Sequence, residues 1–240
     1  MCYNIASLTK KAQHYEQRYK ARFIDEPTLP LFHVKAFDHP DVPVITSREP
    51  EVIRLFTWGM IPFWCKDAKT AEKMRNITAN ARGDTIFEKP TFKNPALKQR
   101  CLVIVDGFYE FHHYNKKVYP FFIRLKNEES FALAGVWDRW NKIDGIDRYT
   151  FSIVTTEANP LMTKIHNKNP KDPRMPLILP REFERDWINE KLEQKEITDL
   201  IRSLDDENMM AHTVASITTR KENTNRPDIF NPVNYEELGF

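Results

Sequence analysis

Four apolar segments of strand length dominate the middle of the chain, and they constrain its fold more than any other feature. They are CLVIVDGFYEFHHY (101–114), YPFFIRL (119–125), SFALAGVWDRW (130–140) and YTFSIVTTEA (149–158). Continuous apolar runs favour fully buried strands, and the alternation that ends the first run favours a half-buried one. The turn-like residues 126–129 (KNEE) predict a hairpin between the second and third segments.

Helical patterns are fewer and lie towards the two ends of the chain. Residues 8–22 (LTKKAQHYEQRYKAR) predict an amphipathic helix capped by Thr9. Residues 181–192 (REFERDWINEKL) and 195–204 (KEITDLIRSL) predict two more amphipathic helices. Residues 88–97 contain two prolines, which predicts an irregular segment.

Mixed strand and helix signals, with many turns between them, decide the fold class. Short apolar segments at 175–179 and 211–216 add further strands to the four central ones. We find no internal repeat and no linker that would divide the chain. We therefore predict an α+β fold with a single domain over residues 1–240, in which curved mixed or antiparallel sheets form a barrel-like core flanked by helices.

Composition narrows the classes of function. The 240 residues carry a net charge of only +2, so any nucleic-acid surface must be local. The phosphate-binding motifs GxGxxG and GxxxxGK[ST] are absent, which disfavours nucleotide-dependent chemistry. Three scattered cysteines form no zinc spacing and indicate a reducing compartment. We expect a cytoplasmic protein without signal peptide, membrane span, metal or cofactor.

Cys2 follows Met1 directly, and this position gives it unusual chemistry. Removal of Met1 would leave an α-amine and a thiol on neighbouring carbons, a pair that condenses with an aldehyde to an imine and then a thiazolidine ring. The thiol could instead attack a carbonyl with the α-amine as base, as in N-terminal nucleophiles. The ordinary pKa is about 8 for an α-amine and about 8.5 for a cysteine thiol. Both groups would therefore be partly in their reactive forms at neutral pH. The alternative is a frayed terminus with no chemical role.

Glu110 is a candidate general acid. It lies among aromatic residues at the end of the first apolar segment, where poor solvation raises the pKa of a carboxyl group. Strand alternation predicts that Asp106, Phe108 and Glu110 share one face. The alternative is a glutamate at the sheet edge that faces water.

Polar residues elsewhere allow either a functional or a structural role. His166 follows the helix-like NPLMTKI, where a single histidine is more often structural. Asn80 could bond a sugar hydroxyl or carbonyl and Arg82 a phosphate, or the two could be a helix cap and a surface arginine. The adjacent His112 and His113 point to opposite faces of a strand, which disfavours joint metal binding.

The aromatic segment WGMIPFW contains Trp58, Phe63 and Trp64. Core packing is the usual role of such residues. A turn kinked by proline could instead present aromatic rings on which DNA bases stack.

The order of these motifs resembles the SOS-response-associated peptidase (SRAP) family. Met1-Cys2 is followed by WGMIPFW, then by Asn80-Ala81-Arg82, DGFYEF, a TxxAN…M…IH segment and RMPL at 174–177. The similarity extends over roughly Cys2 to Val214. Each string alone is weak, but their joint order is specific to the family.

The resemblance implies a function. Members lose Met1 and use the N-terminal cysteine to trap abasic sites in single-stranded DNA as a thiazolidine crosslink. By motif, Cys2 matches the nucleophile, Glu110 the acid/base, Asn80 the residue that positions the sugar, and His166 the residue that assists ring opening. The residues that match DNA contacts are Arg82, Trp64 and Arg174.

Three departures from the family pattern concern DNA contact. Tyr3-Asn4 stands where members often have Gly-Arg, which places Asn4 at the position of a phosphate contact. Asp84 is shorter than the family's glutamate, and residues 167–173 (NKNPKDP) form an insertion between His166 and Arg174. None of the three replaces a residue that matches the catalytic set.

We therefore expect a monomeric protein that crosslinks itself to abasic single-stranded DNA during the DNA damage response, with peptidase or lyase activity confined to releasing its N-terminus or the crosslink. One rival is an N-terminal-nucleophile amidohydrolase, although YNIASLTKK lacks the glycine-rich oxyanion loop that such enzymes favour. Another is a non-catalytic reader of modified bases, which would bind DNA without Cys2.

Overall fold

The hydrophobic core has two main clusters, and they lie on opposite faces of one central strand that is buried on both sides. In Arg100–Val105, Cys101 and Val103 pack into one hydrophobic cluster, whereas Leu102 and Ile104 pack into a second. The first cluster is shared with the strands around Cys2. The second is covered by helices, as expected for a strand in which successive side chains point to opposite faces.

A computed structural model of the protein describes residues 2–26, 30–127, 129–218 and 222–238. The strands are β1 (Asn4–Ser7), β2 (Arg22–Phe23), β3 (Leu31–Lys35), β4 (Asp41–Thr46), β5 (Val52–Trp58), β6 (Asn80–Arg82), β7 (Arg100–Val105), β8 (Gly107–Tyr114), β9 (Lys117–Leu125), β10 (Phe131–Trp140), β11 (Arg148–Glu157), β12 (Arg174–Pro176), β13 (Ile178–Leu179) and β14 (Met209–Thr213). The α-helices are α1 (Ala12–Tyr19), α2 (Ala68–Arg75), α3 (Pro90–Lys98), α4 (Pro160–Ile165), α5 (Glu184–Trp187) and α6 (Gln194–Asp199).

Within the described ranges the strands form a closed barrel and an adjoining sheet. The barrel follows the order β5-β4-β7-β10-β11, and β11 closes it by pairing in parallel with β5. The adjoining sheet has the order β14-β9-β8-β1-β3. Closure removes exposed strand edges. The predicted α+β fold with a barrel-like core is confirmed.

The predicted hairpin at residues 126–129 is wrong. β9 pairs with β8 and β14, whereas β10 pairs with β7 and β11, so this turn carries the chain from one sheet to the other. The hairpin lies one turn earlier, between β8 and β9. There Asn115 and Lys116 adopt positive φ angles of 47° and 63°, which match the twist of a tight β-hairpin.

The three predicted helices are present, but each is shorter than predicted. The first helix is shorter than residues 8–22, and Thr9 does not cap it, because its N–H and hydroxyl both donate to Asp106 Oδ2. The expectation of an irregular segment at 88–97 is wrong, because Pro90 begins helix α3 at a position where a missing N–H costs no hydrogen bond. Across the described residues, none of the helices combines the length and apolar character needed to cross a bilayer.

Candidate active site around Cys2

Cys2 is fully buried and lies two residues before β1, an inner strand of the adjoining five-stranded sheet, which is the smaller of the two sheets. β1 pairs with β3 on one side and with β8 on the other, where Asn4 lies opposite Tyr109. Because this register is antiparallel, Tyr3 comes alongside Glu110, the residue after Tyr109. The sheet therefore positions the candidate nucleophile next to the candidate acid.

Burial makes the Cys2 thiol a weak acid. Desolvation first, and then the negative charge of Glu110, raises the pKa of Cys2 to about 12. In the chain that carries Met1, the thiol is therefore protonated at neutral pH, whereas its position alone had indicated a partly ionised group once Met1 is lost. Attack by sulfur requires a neighbouring group that accepts the thiol proton.

Glu110 has the properties of such a group. Its side chain is 5% exposed, and desolvation raises the pKa of the carboxyl group, as its aromatic surroundings predict. Oε1 accepts a hydrogen bond from the N–H of Phe111 at 3.1 Å, and Oε2 lies 3.8 Å from His166 Nδ1. The alternative of a glutamate facing water is excluded.

Asp106 does not share this face with Glu110, contrary to the sequence prediction. It lies in the bend between β7 and β8, which interrupts the alternation. Its Oδ2 accepts the hydroxyl protons of Thr9 and Tyr15 at 2.9 and 2.6 Å. Asp106 therefore ties the segment before α1 to the barrel, and its carboxylate belongs to a separate network.

Asn80 holds the Cys2 main chain. It begins β6, which pairs in parallel with β11, so the alternative of a helix cap is wrong. Asn80 Nδ2 donates to the Cys2 carbonyl oxygen at 2.8 Å. Its Oδ1 is buried and has no hydrogen-bond partner among the described residues. An acceptor in this state is suited to a donor that arrives with the substrate.

His166 follows α4 directly, and its tautomer is set by its neighbour. Nδ1 lies 2.9 Å from the carbonyl oxygen of Arg174, which can only accept, so Nδ1 carries a proton. In the neutral ring Nε2 is then the acceptor. The ring of His112 contacts the end of this helix, with Nδ1 2.9 Å from the Lys164 carbonyl oxygen, and the main-chain N–H of His113 donates to Asn167 Oδ1 at 2.8 Å.

A cavity of about 480 Å³ opens beside these groups. Its lining includes Tyr3, Arg82, Glu110, His166, Asp172 and Arg174. A larger cavity of about 840 Å³ is lined in part by Arg18, Phe131 and Arg202 and contains none of the catalytic candidates. We assign the site to the smaller cavity because the titratable groups converge there.

Four charged residues form an ion-pair network at the edge of this cavity, and we call them the rim network. Arg82, Asp172 and Arg174 line the cavity, whereas Asp84 pairs with both arginines from outside its lining. Lys168 is a further charged residue of the lining. Arg82 binds Asp84 through Nη2 at 2.6 Å and Asp172 through Nη1 at 2.5 Å. Arg174 is only 3% exposed, and its Nη2 donates to the Thr155 carbonyl at 2.8 Å and to Asp84 at 3.3 Å. Both predicted phosphate-binding arginines are therefore already paired with carboxylates.

The other two predicted DNA contacts differ in exposure. Trp64 is 41% exposed in the turn after β5, whereas Trp58 of the same segment is buried and donates its indole N–H to the Ala79 carbonyl. Asn4 Oδ1 lies 3.0 Å from His33 Nε2 inside the smaller sheet. Trp64 is thus available for stacking, while the Asn4 side chain already has a partner.

Tyr3, His33 and Asp172 were not predicted as site residues. Tyr3 lines the cavity and stacks on Phe37, with ring centroids 5.1 Å apart. Burial lowers the pKa of His33 to about 4, so it is neutral between Asn4 and Thr224. The insertion at 167–173 could have indicated Asp172 as a site residue, because it departs from the family pattern. No local pattern in the sequence indicates that His33 contacts Asn4, which lies 29 positions away.

This arrangement defines a class of protein. The family model described as SOS response associated peptidase (SRAP) matches residues 1–220. The chain therefore belongs to the SRAP family.

Named relatives and a solved structure agree with this assignment. An abasic site processing protein of Bacillus subtilis (strain 168), YoqW, is 38% identical over 174 residues, covering 72% of this chain and 73% of the relative. The abasic site processing protein HMCES of Pongo abelii is 30% identical over 230 residues, covering 80% of this chain and 62% of the relative. A crystal structure of a protein from Bacteroides thetaiotaomicron superposes with a TM-score of 0.89 at 37% identity, covering 97% of this chain and all of that one.

Proposed function

We propose that this protein binds single-stranded DNA at abasic sites and forms a covalent thiazolidine crosslink through Cys2 after loss of Met1. The observation that carries the proposal is the convergence on Cys2 of Glu110, which acts on its thiol, and Asn80, which bonds its carbonyl. Relatives named abasic site processing proteins support the same substrate.

Ring opening comes first in this mechanism. An abasic sugar exists as a closed hemiacetal, and its opening to the aldehyde requires a proton to leave one oxygen and another to reach the ring oxygen. His166, with Nε2 as acceptor, and Glu110, with a raised pKa, are suited to move those protons. Asn80 Oδ1 accepts a hydrogen bond from a sugar hydroxyl or from the α-amine.

Crosslinking then follows in two additions. The Cys2 α-amine adds to the aldehyde carbon, and water leaves from the carbinolamine to give an imine, with Glu110 protonating the departing hydroxyl. The thiol adds to the imine carbon, forming the C–S bond, and its proton passes through Glu110 to the nitrogen. The crosslinked product therefore contains all atoms of the protein and the DNA except those of one released water molecule. Because the resting thiol is neutral, its proton transfer must accompany attack.

The rim and the exposed turn bind the DNA in this proposal. Arg82 contacts a phosphate and Trp64 stacks on a base, while Arg174, which is buried, and Asn4, which is half-buried, support the site. Peptidase or lyase activity is confined to releasing Met1 or the crosslink. The protein acts as a monomer in the cytoplasm, associated with DNA when bound.

Intact mass after mixing with abasic single-stranded DNA tests the proposal. We expect an adduct of mass protein without Met1 plus DNA minus one water, and none with intact DNA of the same sequence. Cys2→Ala should abolish it, whereas Cys65→Ala, which removes another buried thiol, should not. An adduct formed by Cys2→Ala, or by protein that keeps Met1, would refute the assignment.

A further inference from the structure

The rim network is electrically balanced although it lies where the proposed function needs a positive surface. Two arginines face two aspartates. Arg82 directs Nε and Nη2 to Asp84 and Nη1 to Asp172, so each of these nitrogens meets a carboxylate oxygen. A phosphate that approached Arg82 would therefore find four of its five N–H groups already directed at carboxylate oxygens.

The two aspartates differ in how they are held. Asp84 lies two residues after Arg82 in the same short turn and also bonds Arg174, so it belongs to the wall. Asp172 comes from the 167–173 segment that joins α4 to β12. In the described part of the chain, its carboxylate hydrogen-bonds Arg82 alone.

A carboxylate and a phosphate oxygen pair bind a guanidinium in the same forked geometry. Asp172 oxygens lie 2.5 Å from Nη1 and 3.4 Å from Nη2 of Arg82, which is the place a DNA phosphate would take. Both side chains are about 40% exposed, at 41% and 39%, so exchange with an incoming anion meets no packing barrier.

We infer that Asp172 is a specificity-determining residue that occupies the phosphate position on Arg82 and is displaced by a backbone phosphate of single-stranded DNA. This inference rests on the proposed function. Because each bound phosphate must replace an internal anion, attraction to the backbone alone is weakened. Intact DNA can bind Arg82 only through its backbone phosphates. It is therefore held less tightly than abasic DNA, which also reacts with Cys2.

Binding of intact single-stranded DNA by Asp172→Asn measures this competition. We expect affinity to rise about threefold to tenfold, as for a partly exposed charge pair. The slope of log affinity against log salt should steepen by about 0.7, because Arg82 gains one phosphate. Asp144→Asn is the matched control, because it removes the same charge from an exposed ion pair with Arg148 at the far end of β11. Arg82 lies opposite Thr155 of β11, about 23 Å from Arg148 along the strand.

A double substitution separates this role from general electrostatics. In an Arg82→Gln background, Asp172→Asn should raise affinity no more than Asp144→Asn does, because the group it competes for is gone. A full increase in that background, or equal effects of Asp172→Asn and Asp144→Asn in the otherwise unchanged protein, overturns the inference. Failure of the unchanged protein and every variant to bind DNA overturns it as well.

Intact DNA keeps this test independent of the crosslinking test. If the unchanged protein forms no adduct with abasic DNA but Asp172→Asn shows the expected gain, the proposed chemistry fails and the role of Asp172 stands. If adducts form but the gain is missing, only the role of Asp172 fails.

Discussion

The buried groups around Cys2, beside the cavity, and the rim network satisfy their hydrogen bonds in opposite ways. Around Cys2, Glu110 is desolvated and Asn80 Oδ1 lacks a hydrogen-bond partner in the described residues. At the rim, Arg82 and Arg174 are bonded to carboxylates and a carbonyl. Groups left under-solvated are prepared for a reaction, whereas groups already paired must exchange one partner for another.

This difference separates chemistry from affinity. Changes in the buried groups around Cys2 should alter the rate at saturating DNA, because they act on proton transfer and on the position of the nucleophile. Changes at the rim and the exposed turn should alter binding and its salt dependence instead.

Glu110→Gln is expected to have the largest effect on rate. Glutamine keeps the shape but cannot shuttle a proton, so adduct formation at saturating abasic DNA should slow by about 10²–10⁴-fold. A time course measures it, with thermal melting as the folding control. Glu184→Gln is matched, since Glu184 is also buried with a raised pKa but pairs with Arg18 elsewhere. An unchanged rate in Glu110→Gln would move the proton shuttle to His166.

Asn80→Leu should slow the reaction by about 10²-fold. Leucine has a similar volume but loses the bond to the Cys2 carbonyl, and misplacement of a nucleophile by about 1 Å has effects of this size. The same time course applies, with Asn76→Leu at the surface as the control. If Asn80→Leu lost affinity for DNA but kept the wild-type rate at saturating DNA, Asn80 would act in binding, like the rim network, and not in positioning Cys2.

Trp64→Ala should weaken binding of single-stranded DNA by roughly 1–3 kcal/mol for each base that stacks on the ring. Titration with a labelled oligonucleotide gives the affinity. Ile143→Ala removes a side chain of comparable exposure, 54% against 41%, from another turn and should leave affinity unchanged. Equal affinities for Trp64→Ala and the unchanged protein would show that this turn does not contact DNA.

Glu110 should also affect stability in a pH-dependent way, with the smallest effect. Its folded pKa is raised above the ordinary value of 4.5, so the folded state loses stability as pH rises through 4.5 towards the raised value. Glu110→Gln should therefore melt higher than the unchanged protein at neutral pH, by about 2–4 °C for each kcal/mol recovered. The difference should vanish below pH 4.5. A lower melting temperature at neutral pH would contradict the cost of burying this charge.

Local patterns in the sequence predicted the strands better than their partners. The apolar segments became β7 to β11, because burial on both faces leaves a continuous apolar signal. The hairpin at 126–129 failed because pairing across the two sheets depends on contacts remote in sequence. Pro90 opened a helix where two prolines had suggested none.

The candidate site shows the same limit. The order of motifs selected Cys2, Asn80, Glu110 and His166, and the fold brings all four to one region. The raised pKa of the thiol could not be read from position 2, because it comes from burial. Likewise, the occupation of Arg82 by Asp172 joins residues 90 positions apart.

The position of Cys2 next to an inner strand has a mechanical consequence. β1 is bonded on both sides, to β3 and β8. In the proposed crosslink, a load on the attached DNA enters the fold at Cys2, runs along β1 and shears both ladders together. An edge strand would instead peel away one bond at a time. If Cys2 is the attachment point, as proposed, the crosslink therefore resists tension, because both ladders of β1 must break together.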